Sequence, residues 1–594
     1  MVTLSKKGPC AITHFLQRPY NFCEHSWKPF LATLGARIRL TSESSQLVLV
    51  FALQVHGGSH CGSDPMVTTP KNIIKGKVID TILDRKVFAF KGIRYAKAPI
   101  GELRFQPPVP VDNWADVYDA TQDGAACPQP GPALKSEDCL FLNVYTTELP
   151  SKTHNPKRPV IFYIHPGGFY SVNAASYFIG PQYLLDRDVV LVTINYRLGS
   201  LGFISTGDKL APGNNGLKDQ VLALKWVKEN ILSFGGDPNL VTIMGYSAGG
   251  ISVTAHLLSP MSKGLFHRAI AMSDTIFAQW PIEHHQMYLA QKQARLVGCP
   301  DDTSENIMNC LRTKPADELG DSLIGFREFG IDPLLLWTPV IELDFGQERF
   351  LTEHPIVSGL NGKFANVPIM AGVTSEEFSH LGPRLMRNPE MVKEINDDFE
   401  RIAPISFLYE RNTPKSKYIS GELRKHFLGN GPIDNSTVEG LKHLYADGTV
   451  GFGVNRGIKL LAAKNTENCY YYRFSYQGRY SHVYLPGTKI PYGPVHHDDL
   501  IYLFYASPLF PKFKVTDPEY KMVLKLTTLV ANFALTGKPT PTATQELDNA
   551  DWTPFTNKNN KYMDIGETLK MQENLYEDRY SVWDKLFPLS DYEK

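Results

Sequence analysis

The 594-residue chain has no excess charge of either sign, because 61 Lys and Arg residues balance 61 Asp and Glu residues. Such a chain sets up no global field toward nucleic acid or an anionic membrane, so neither is expected as a partner. Internal repeats, low-complexity segments and Pro/Ser-rich linkers are also missing. With 43% hydrophobic residues, the sequence can bury one large core without dividing into several domains.

Long hydrophobic runs are absent too. The apolar stretch at residues 47–55 is too short to cross a bilayer but has the length of a signal-peptide core. We expect residues 1–68 to be a leader, cleaved near 57–61, and residues 69–590 to form a single domain of a secreted protein. The alternative is that the true start lies after Met1. Residues 589–594 resemble no lipid-anchor or retention signal, so no membrane anchor is expected.

The most informative feature that is present is Gly-Tyr-Ser-Ala-Gly at 245–249. The uncharged, β-branched residues 240–244 predict a buried strand before it, and residues 248–258 have helical spacing after it. A serine at such a junction projects its hydroxyl above the sheet, and glycines at 245 and 249 avoid a collision across the turn. The pentapeptide alone is weak evidence of function, but the predicted strand before it and the predicted helix after it favour Ser247 as a nucleophile.

A nucleophilic serine needs a base, an acid that orients the base, and donors for the developing oxyanion. Glu376 and Glu377 follow a predicted strand at 367–373, at the edge where α/β sheets carry their sites. A solvated helix start is the alternative interpretation of these acids. His496 lies on a Gly/Pro-punctuated loop, as a loop-borne base should.

The run His496, His497, Asp498 and Asp499 raises the alternative of a metal cluster. Four consecutive side chains cannot all converge on one ion, and no second ligand motif is present, so no metal is expected. The oxyanion donors should follow an earlier strand, and the predicted strand at 159–164 leads into His-Pro-Gly-Gly-Phe at 165–169. Glycine amides there can approach a substrate oxygen closely.

The chain resembles the type-B carboxylesterases of the carboxylesterase/cholinesterase family, from about Lys75 to about Leu586. Besides 245–249, a second family signature is Glu-Asp-Cys-Leu-Phe-Leu-Asn-Val-Tyr at 137–145. Further similar stretches lie at 90–96, 101–105, 195–197 and 234–238. The pattern is most similar to secreted insect-type esterases that act on xenobiotic, pheromone or hormone esters.

The resemblance implies an α/β-hydrolase fold, with a mostly parallel twisted sheet, helices on both faces and large insertions. It implies an ester hydrolase that needs no cofactor and works on small molecules as a monomer or homodimer. The residues that it implies are catalytic Ser247, Glu377 and His496, with Gly167, Gly168 and Ala248 as the oxyanion hole. It also implies disulfides Cys127–Cys139 and Cys299–Cys310, hence an oxidising compartment, and an ion pair between Glu137 and Arg197. Cys469 is expected to be a buried free thiol, and Asn435 begins an N-glycosylation tripeptide.

Departures from the family pattern concern the substrate. Pro166 replaces a glycine, Tyr246 replaces an acid common in the family, and Asp274 replaces a glycine near the acyl pocket. Residues 128–138 contain no aromatic side chain to bind a quaternary ammonium, so a choline ester is not expected. Trp280 is expected to line the acyl side of the pocket, with core packing as its alternative. A silent binding homologue and a lipase remain alternative functions.

Overall fold

The structure is a computed structural model that describes residues 64–114, 116–131 and 134–593. The expected signal-peptide core at 47–55, and Cys10, Cys23 and Cys61, lie outside the described residues. The first strand begins at Met66, close to the expected domain start at residue 69. Residues from Asp64 onward form one compact unit.

Eleven of the described strands form one large sheet, and three form a small separate sheet. The strands are β1 Met66–Thr68, β2 Ile73–Lys75, β3 Lys77–Asp80, β4 Lys86–Arg94, β5 Tyr118–Asp119, β6 Phe141–Thr146, β7 Arg158–Ile164, β8 Val190–Ile194, β9 Gly236–Tyr246, β10 Arg268–Met272, β11 Ile369–Thr374, β12 Cys469–Phe474, β13 Lys561–Ile565 and β14 Leu569–Glu573. The large sheet has the order β14-β13-β12-β11-β10-β9-β7-β8-β6-β4-β3, and the small one β1-β2-β5.

The centre of the large sheet is parallel. Strands β8, β7, β9, β10, β11, β12 and β13 pair in parallel, whereas β3, β4, β6 and β14 add antiparallel edges. The central strands are mostly apolar and buried because both of their faces are covered. In β7, Val160, Phe162 and Ile164 pack into one core while Ile161 and Tyr163 pack into the opposite core. The predicted parallel α/β architecture is confirmed.

Helices cover both faces. The α-helices are α1 Gly199–Phe203, α2 Asn215–Asn230, α3 Ala248–Leu258, α4 Met287–Leu296, α5 Ser304–Thr313, α6 Ala316–Asp321, α7 Pro355–Leu360, α8 Leu381–Met386, α9 Pro389–Asp397, α10 Phe399–Ser406, α11 Pro414–Phe427, α12 Val438–Ala446, α13 Phe452–Lys464, α14 Tyr520–Thr536 and α15 Glu577–Leu586. Helix α3 packs on one face of the sheet and α14 on the other. None of the helices that the structure describes has the length and apolar character needed to span a membrane.

The large insertion after β11 forms a helical layer with its own core. Helices α8 to α12 bury Leu385, Ile402, Leu423 and Leu444 in a cluster that α15 closes with Trp583. A π-helical turn, Asp447–Gly451, joins α12 to α13 and presents Thr449 toward the candidate site. The insertion therefore builds one wall of the site described below.

Both expected disulfides form, Cys127–Cys139 and Cys299–Cys310. Cys469 is the free cysteine of the described residues, and burial raises the pKa of its thiol to about 11. The thiol is therefore neutral and unreactive at physiological pH.

The expected ion pair between Glu137 and Arg197 is wrong. Glu137 instead pairs with Arg104, at 2.5 and 2.6 Å, and Arg197 pairs with Asp219 at 2.7 and 2.8 Å. Each guanidinium binds both oxygens of one carboxylate, and this bidentate geometry favours the two observed pairs over the expected one. The spacing of residues along the chain did not indicate that Arg104 and Asp219 are the partners in these ion pairs.

Candidate active site

Ser247 lies at the sharp turn between β9 and α3, as predicted. Its backbone has φ of +54° and ψ of −120°, an unfavourable conformation for a residue with a Cβ. A Cβ at Gly245 would approach the carbonyl oxygen of Gly249 to 2.3 Å, and one at Gly249 would approach that of Ile164 to 2.1 Å. The two glycines therefore allow the strained turn to pack directly against β7.

Glu377 and His496 meet although 119 residues separate them. His496 Nδ1 lies 2.5 Å from Glu377 Oε2, and both side chains are 2% exposed. The backbone brings them together, because Glu376 pairs with Val495 just after β11. Glu377 Oε1 accepts a hydrogen bond from the Thr374 amide at 2.8 Å, which fixes the carboxylate. The side chain of Glu376 instead accepts the Ser379 hydroxyl at 2.7 Å, away from the imidazole.

A cavity of about 200 Å³ brings the predicted site residues together, since both Ser247 and His496 line it. His496 Nε2 is buried and has no hydrogen-bond partner among the described residues. The imidazole ring packs against Phe378, at 4.2 Å between ring centroids, and makes an edge-type contact with Tyr246 at 5.0 Å. The second imidazole nitrogen is thus free for a proton exchanged in the cavity.

Gly167, Gly168 and Ala248 line the same cavity, and their backbone amides are the predicted oxyanion donors. None of them donates to an acceptor within the described part of the chain. Gly167 and Gly168 have φ of +113° and +58°, and a Cβ at Gly167 would come within 2.1 Å of the Ser171 carbonyl oxygen. Ala248 opens α3, where the helix dipole favours negative charge. The arrangement suits a small oxyanion.

Asp274 also lines the cavity and is buried. Burial holds the pKa of this carboxyl well above its usual range, and the nearby Glu377 raises it further. Its Oδ1 accepts the Thr275 amide at 2.7 Å. The buried side chain that replaces the family's glycine thus adds a carboxyl group to the wall of the cavity, in surroundings that favour its protonated form.

Trp280 requires a correction, because it is not one of the residues that line this cavity. It is 4% exposed and belongs to the core on the α3 side of the sheet. Leu334, Leu335, Phe378 and Leu408 supply the apolar wall instead. The alternative interpretation of Trp280, core packing, is the one the structure supports.

No local sequence pattern predicts the contact that Tyr246 makes. Its hydroxyl accepts the backbone amide hydrogen of His497 at 2.8 Å, across 251 residues of chain. Tyr246 is fully buried, and burial keeps its pKa well above its usual value. Tyr246, which replaces the acid common in the family, thus holds the backbone of His497, directly after His496.

The side chains of residues 496–499 point to different partners. His496 contacts Glu377, while Asp498 accepts the Ser481 hydroxyl at 2.6 Å and lies 3.0 Å from His482 Nδ1. Asp499 is buried, and burial raises the pKa of its carboxyl well above the usual range. Within the described residues, no group of three or more candidate ligands is arranged to hold a metal ion.

The fold and this site define a class of protein, the α/β-hydrolases. A crystal structure of juvenile hormone esterase from Manduca sexta, with OTFP covalently attached, superposes with a TM-score of 0.78. It is 27% identical in sequence, and the match covers 88% of this chain and 99% of that one. The expected fold class is therefore confirmed.

Within that class, residues 63–583 match the Carboxylesterase family. Esterase FE4 of Myzus persicae is 36% identical over 80% of this chain and 85% of its own length. Juvenile hormone esterase of Tribolium castaneum is 36% identical over 81% and 84%. The chain belongs to the carboxylesterase family, is similar to its insect esterases, and is a carboxylic ester hydrolase.

Proposed function

We propose that the protein hydrolyses carboxylic esters through a covalent acyl intermediate on Ser247, with His496 as base and acid and Glu377 as the orienting carboxylate. The observation that carries the proposal is the buried His496–Glu377 pair, in which His496 lines the same cavity as Ser247 and its Nε2 has no hydrogen-bond partner among the described residues. The amides of Gly167, Gly168 and Ala248 are the proposed oxyanion hole. A preformed set of donors in a site with little water stabilises developing charge strongly.

In the first half-reaction, Ser247 Oγ attacks the ester carbonyl carbon while His496 Nε2 takes the hydroxyl proton. The carbonyl oxygen becomes an oxyanion that the three amides bind. When the intermediate collapses, the bond to the alcohol oxygen breaks and His496 returns the proton to that oxygen. Water then repeats the sequence on the acyl-serine, which releases the carboxylic acid and restores Ser247.

The proposed substrates are small apolar esters of the kind that insect esterases hydrolyse, among them hormone, pheromone and xenobiotic esters. A relative named juvenile hormone esterase supports the hormone esters in this range. Choline esters are excluded from the proposal because no aromatic residue occurs in the 128–138 loop.

We also propose a secreted monomer or homodimer, with a leader at 1–68 and a catalytic domain at 69–590. The two disulfides and the exposed Asn435 are consistent with secretion.

Ser247→Ala tests the nucleophile. Hydrolysis of a naphthyl ester and labelling by a fluorophosphonate probe should both fall to background, because no other group in the cavity replaces the serine oxygen. The matched control is Ser252→Ala, on the same helix but outside the cavity, which should label like the wild type. Undiminished turnover by Ser247→Ala would contradict the assignment. Absence of labelling in the folded wild type would indicate a silent homologue.

A further inference from the structure

Asp274 and Ser247 follow neighbouring strands at the same edge of the sheet. Strand β10 pairs in parallel with β9, and Met272 lies opposite Tyr246, so Ser247 and Asp274 come one and two residues after this pair. The Ser247 amide also donates to the Met272 carbonyl at 2.8 Å. Neighbouring strands lie about 4.8 Å apart, and both residues line the same cavity, so one substrate can contact both.

One oxygen of the Asp274 carboxyl is held by the backbone, and the other is available. Oδ1 accepts the Thr275 amide hydrogen at 2.7 Å, which fixes the rotation of the carboxyl group. Oδ2 has no hydrogen-bond partner within the described residues, although the side chain belongs to a residue that is only 6% exposed. Oδ2 is also not among the atoms that are closed off from solvent, and the open space that Asp274 lines is the cavity.

The surroundings favour a protonated Asp274 that donates a hydrogen bond from Oδ2. Burial raises the pKa of this carboxyl well above its usual range, and the negative charge of Glu377 raises it further. Asp274 forms no ion pair in the part of the chain that the structure describes. Because Oδ1 already accepts the Thr275 amide, the proton belongs on Oδ2.

Two hydroxyl groups in the cavity wall are already engaged. Ser171 donates to the Gly167 carbonyl at 3.2 Å, and Thr449 donates to the Tyr445 carbonyl. Aliphatic and aromatic side chains form much of the remaining wall. A polar atom of a substrate that enters this region loses its contact with water, and Asp274 is in a position to replace the lost hydrogen bond.

We propose that Asp274 is a specificity residue that donates a hydrogen bond from its protonated carboxyl to a second acceptor oxygen of the substrate, separate from the ester group. The inference rests on the proposed function and specifies its substrate class: otherwise apolar esters that carry one ether or carbonyl oxygen near the scissile bond. The glycine usual in the family offers no such donor. An alkyl ester of the same shape leaves the carboxyl hydroxyl unpaired, which is the basis of the discrimination.

Pairs of esters that exchange one methylene group for an oxygen test the proposal. 4-Nitrophenyl methoxyacetate is compared with 4-nitrophenyl butyrate, and 2-methoxyethyl acetate with butyl acetate, so that the added oxygen is tried on both sides of the ester. Asp274→Leu keeps the branched shape and removes the donor. It should lower the ratio of kcat/KM for the ether ester to that for the alkyl ester about fivefold to tenfold in at least one pair.

Asp274→Asn is the matched variant, because its amide oxygen can accept the Thr275 amide while its NH2 group takes the place of the protonated Oδ2. It should keep the ratio within about twofold of the wild type. Asp274→Gly should behave like Asp274→Leu, and it replaces that variant if the leucine prevents folding. Unchanged ratios in both pairs for the variant without the donor would overturn the proposal, as would an equal fall in Asp274→Asn.

A third pair, 2-(dimethylamino)ethyl acetate and 3-methylbutyl acetate, has the same shape but carries a cationic nitrogen in one member. If only this pair responds to the loss of Asp274, the residue acts as a carboxylate toward cations, and the neutral donor is rejected. Fluorophosphonate labelling separates the remaining failures. An unlabelled wild type rejects the proposed function, whereas labelled proteins with unaltered ratios reject only the role of Asp274.

Discussion

Tyr246 illustrates how one side chain can hold catalytic geometry without touching a substrate. His497 has φ of +83°, and the hydrogen bond from its amide to the Tyr246 hydroxyl fixes the backbone directly after His496. The tyrosine ring also packs against the His496 imidazole in an edge-type contact, with 5.0 Å between the ring centroids. Tyr246 is therefore a positioning residue in the proposed mechanism.

Tyr246→Phe should lower kcat about 10- to 100-fold with little change in KM, because a displaced imidazole slows proton transfer but not substrate binding. The change is measured by steady-state kinetics on a naphthyl ester. Tyr472→Phe is the matched control, since Tyr472 is also buried next to Asp499 but its hydroxyl has no hydrogen-bond partner among the described residues. An equal fall in kcat for the two variants would contradict the positioning role, because it would show that loss of any buried tyrosine hydroxyl is sufficient to lower kcat.

The strand–turn–helix element at β9 and α3 depends on close backbone approach. Gly249 lies against the carbonyl of Ile164, the last residue of β7, so the turn that carries Ser247 packs onto the strand that leads to the proposed oxyanion hole. The same contact therefore sets the distance between the nucleophile and its donors.

Gly249→Ala should destabilise the fold by about 1–3 kcal/mol or more and reduce activity sharply, because its Cβ would lie 2.1 Å from the Ile164 oxygen. Urea unfolding and ester hydrolysis measure the two effects. Gly421→Ala, within α11, has open space around the new Cβ and should be neutral or stabilising by about 0.5–1 kcal/mol. A Gly249→Ala enzyme as stable and active as Gly421→Ala would contradict the packing argument.

Across the whole molecule, buried histidines link stability to pH. His165 and His256 are each 1% exposed, and burial lowers their pKa values to about 4 and about 3. Their folded pKa values lie below that of an unfolded histidine, so the unfolded chain binds more protons as pH falls. Their full contribution to stability is present above about pH 6.5 and is lost progressively below it.

The free energy of unfolding should fall by about 2 kcal/mol per buried histidine between pH 7 and pH 5. Urea unfolding at the two pH values measures the loss. His256→Gln removes one of the two groups, so its stability should fall less steeply with acidification than that of the wild type, even if it is less stable at pH 7. Parallel pH profiles for the two proteins would rule out this linkage.

The sequence alone determined the parts of this protein whose signals are local. Buried β-branched strands, the glycine-flanked Ser247 and the glycine pair at 167–168 can be recognised because strand burial, sharp turns and positive φ restrict residue type at each position. The residues also indicated Glu376, Glu377 and His496 as candidates, and the resemblance then selected Glu377 and added both disulfides. The roles of the site residues stay predictions until the variants are measured.

Only the tertiary structure decided which distant side chains meet. It paired Arg104 with Glu137, buried Trp280 in the core and joined Tyr246 to His497. These contacts join residues up to 251 positions apart, and they follow from how helices and loops pack over the sheet. No local pattern encodes them, because the free energy of each contact depends on partners that are brought close only when the chain has folded.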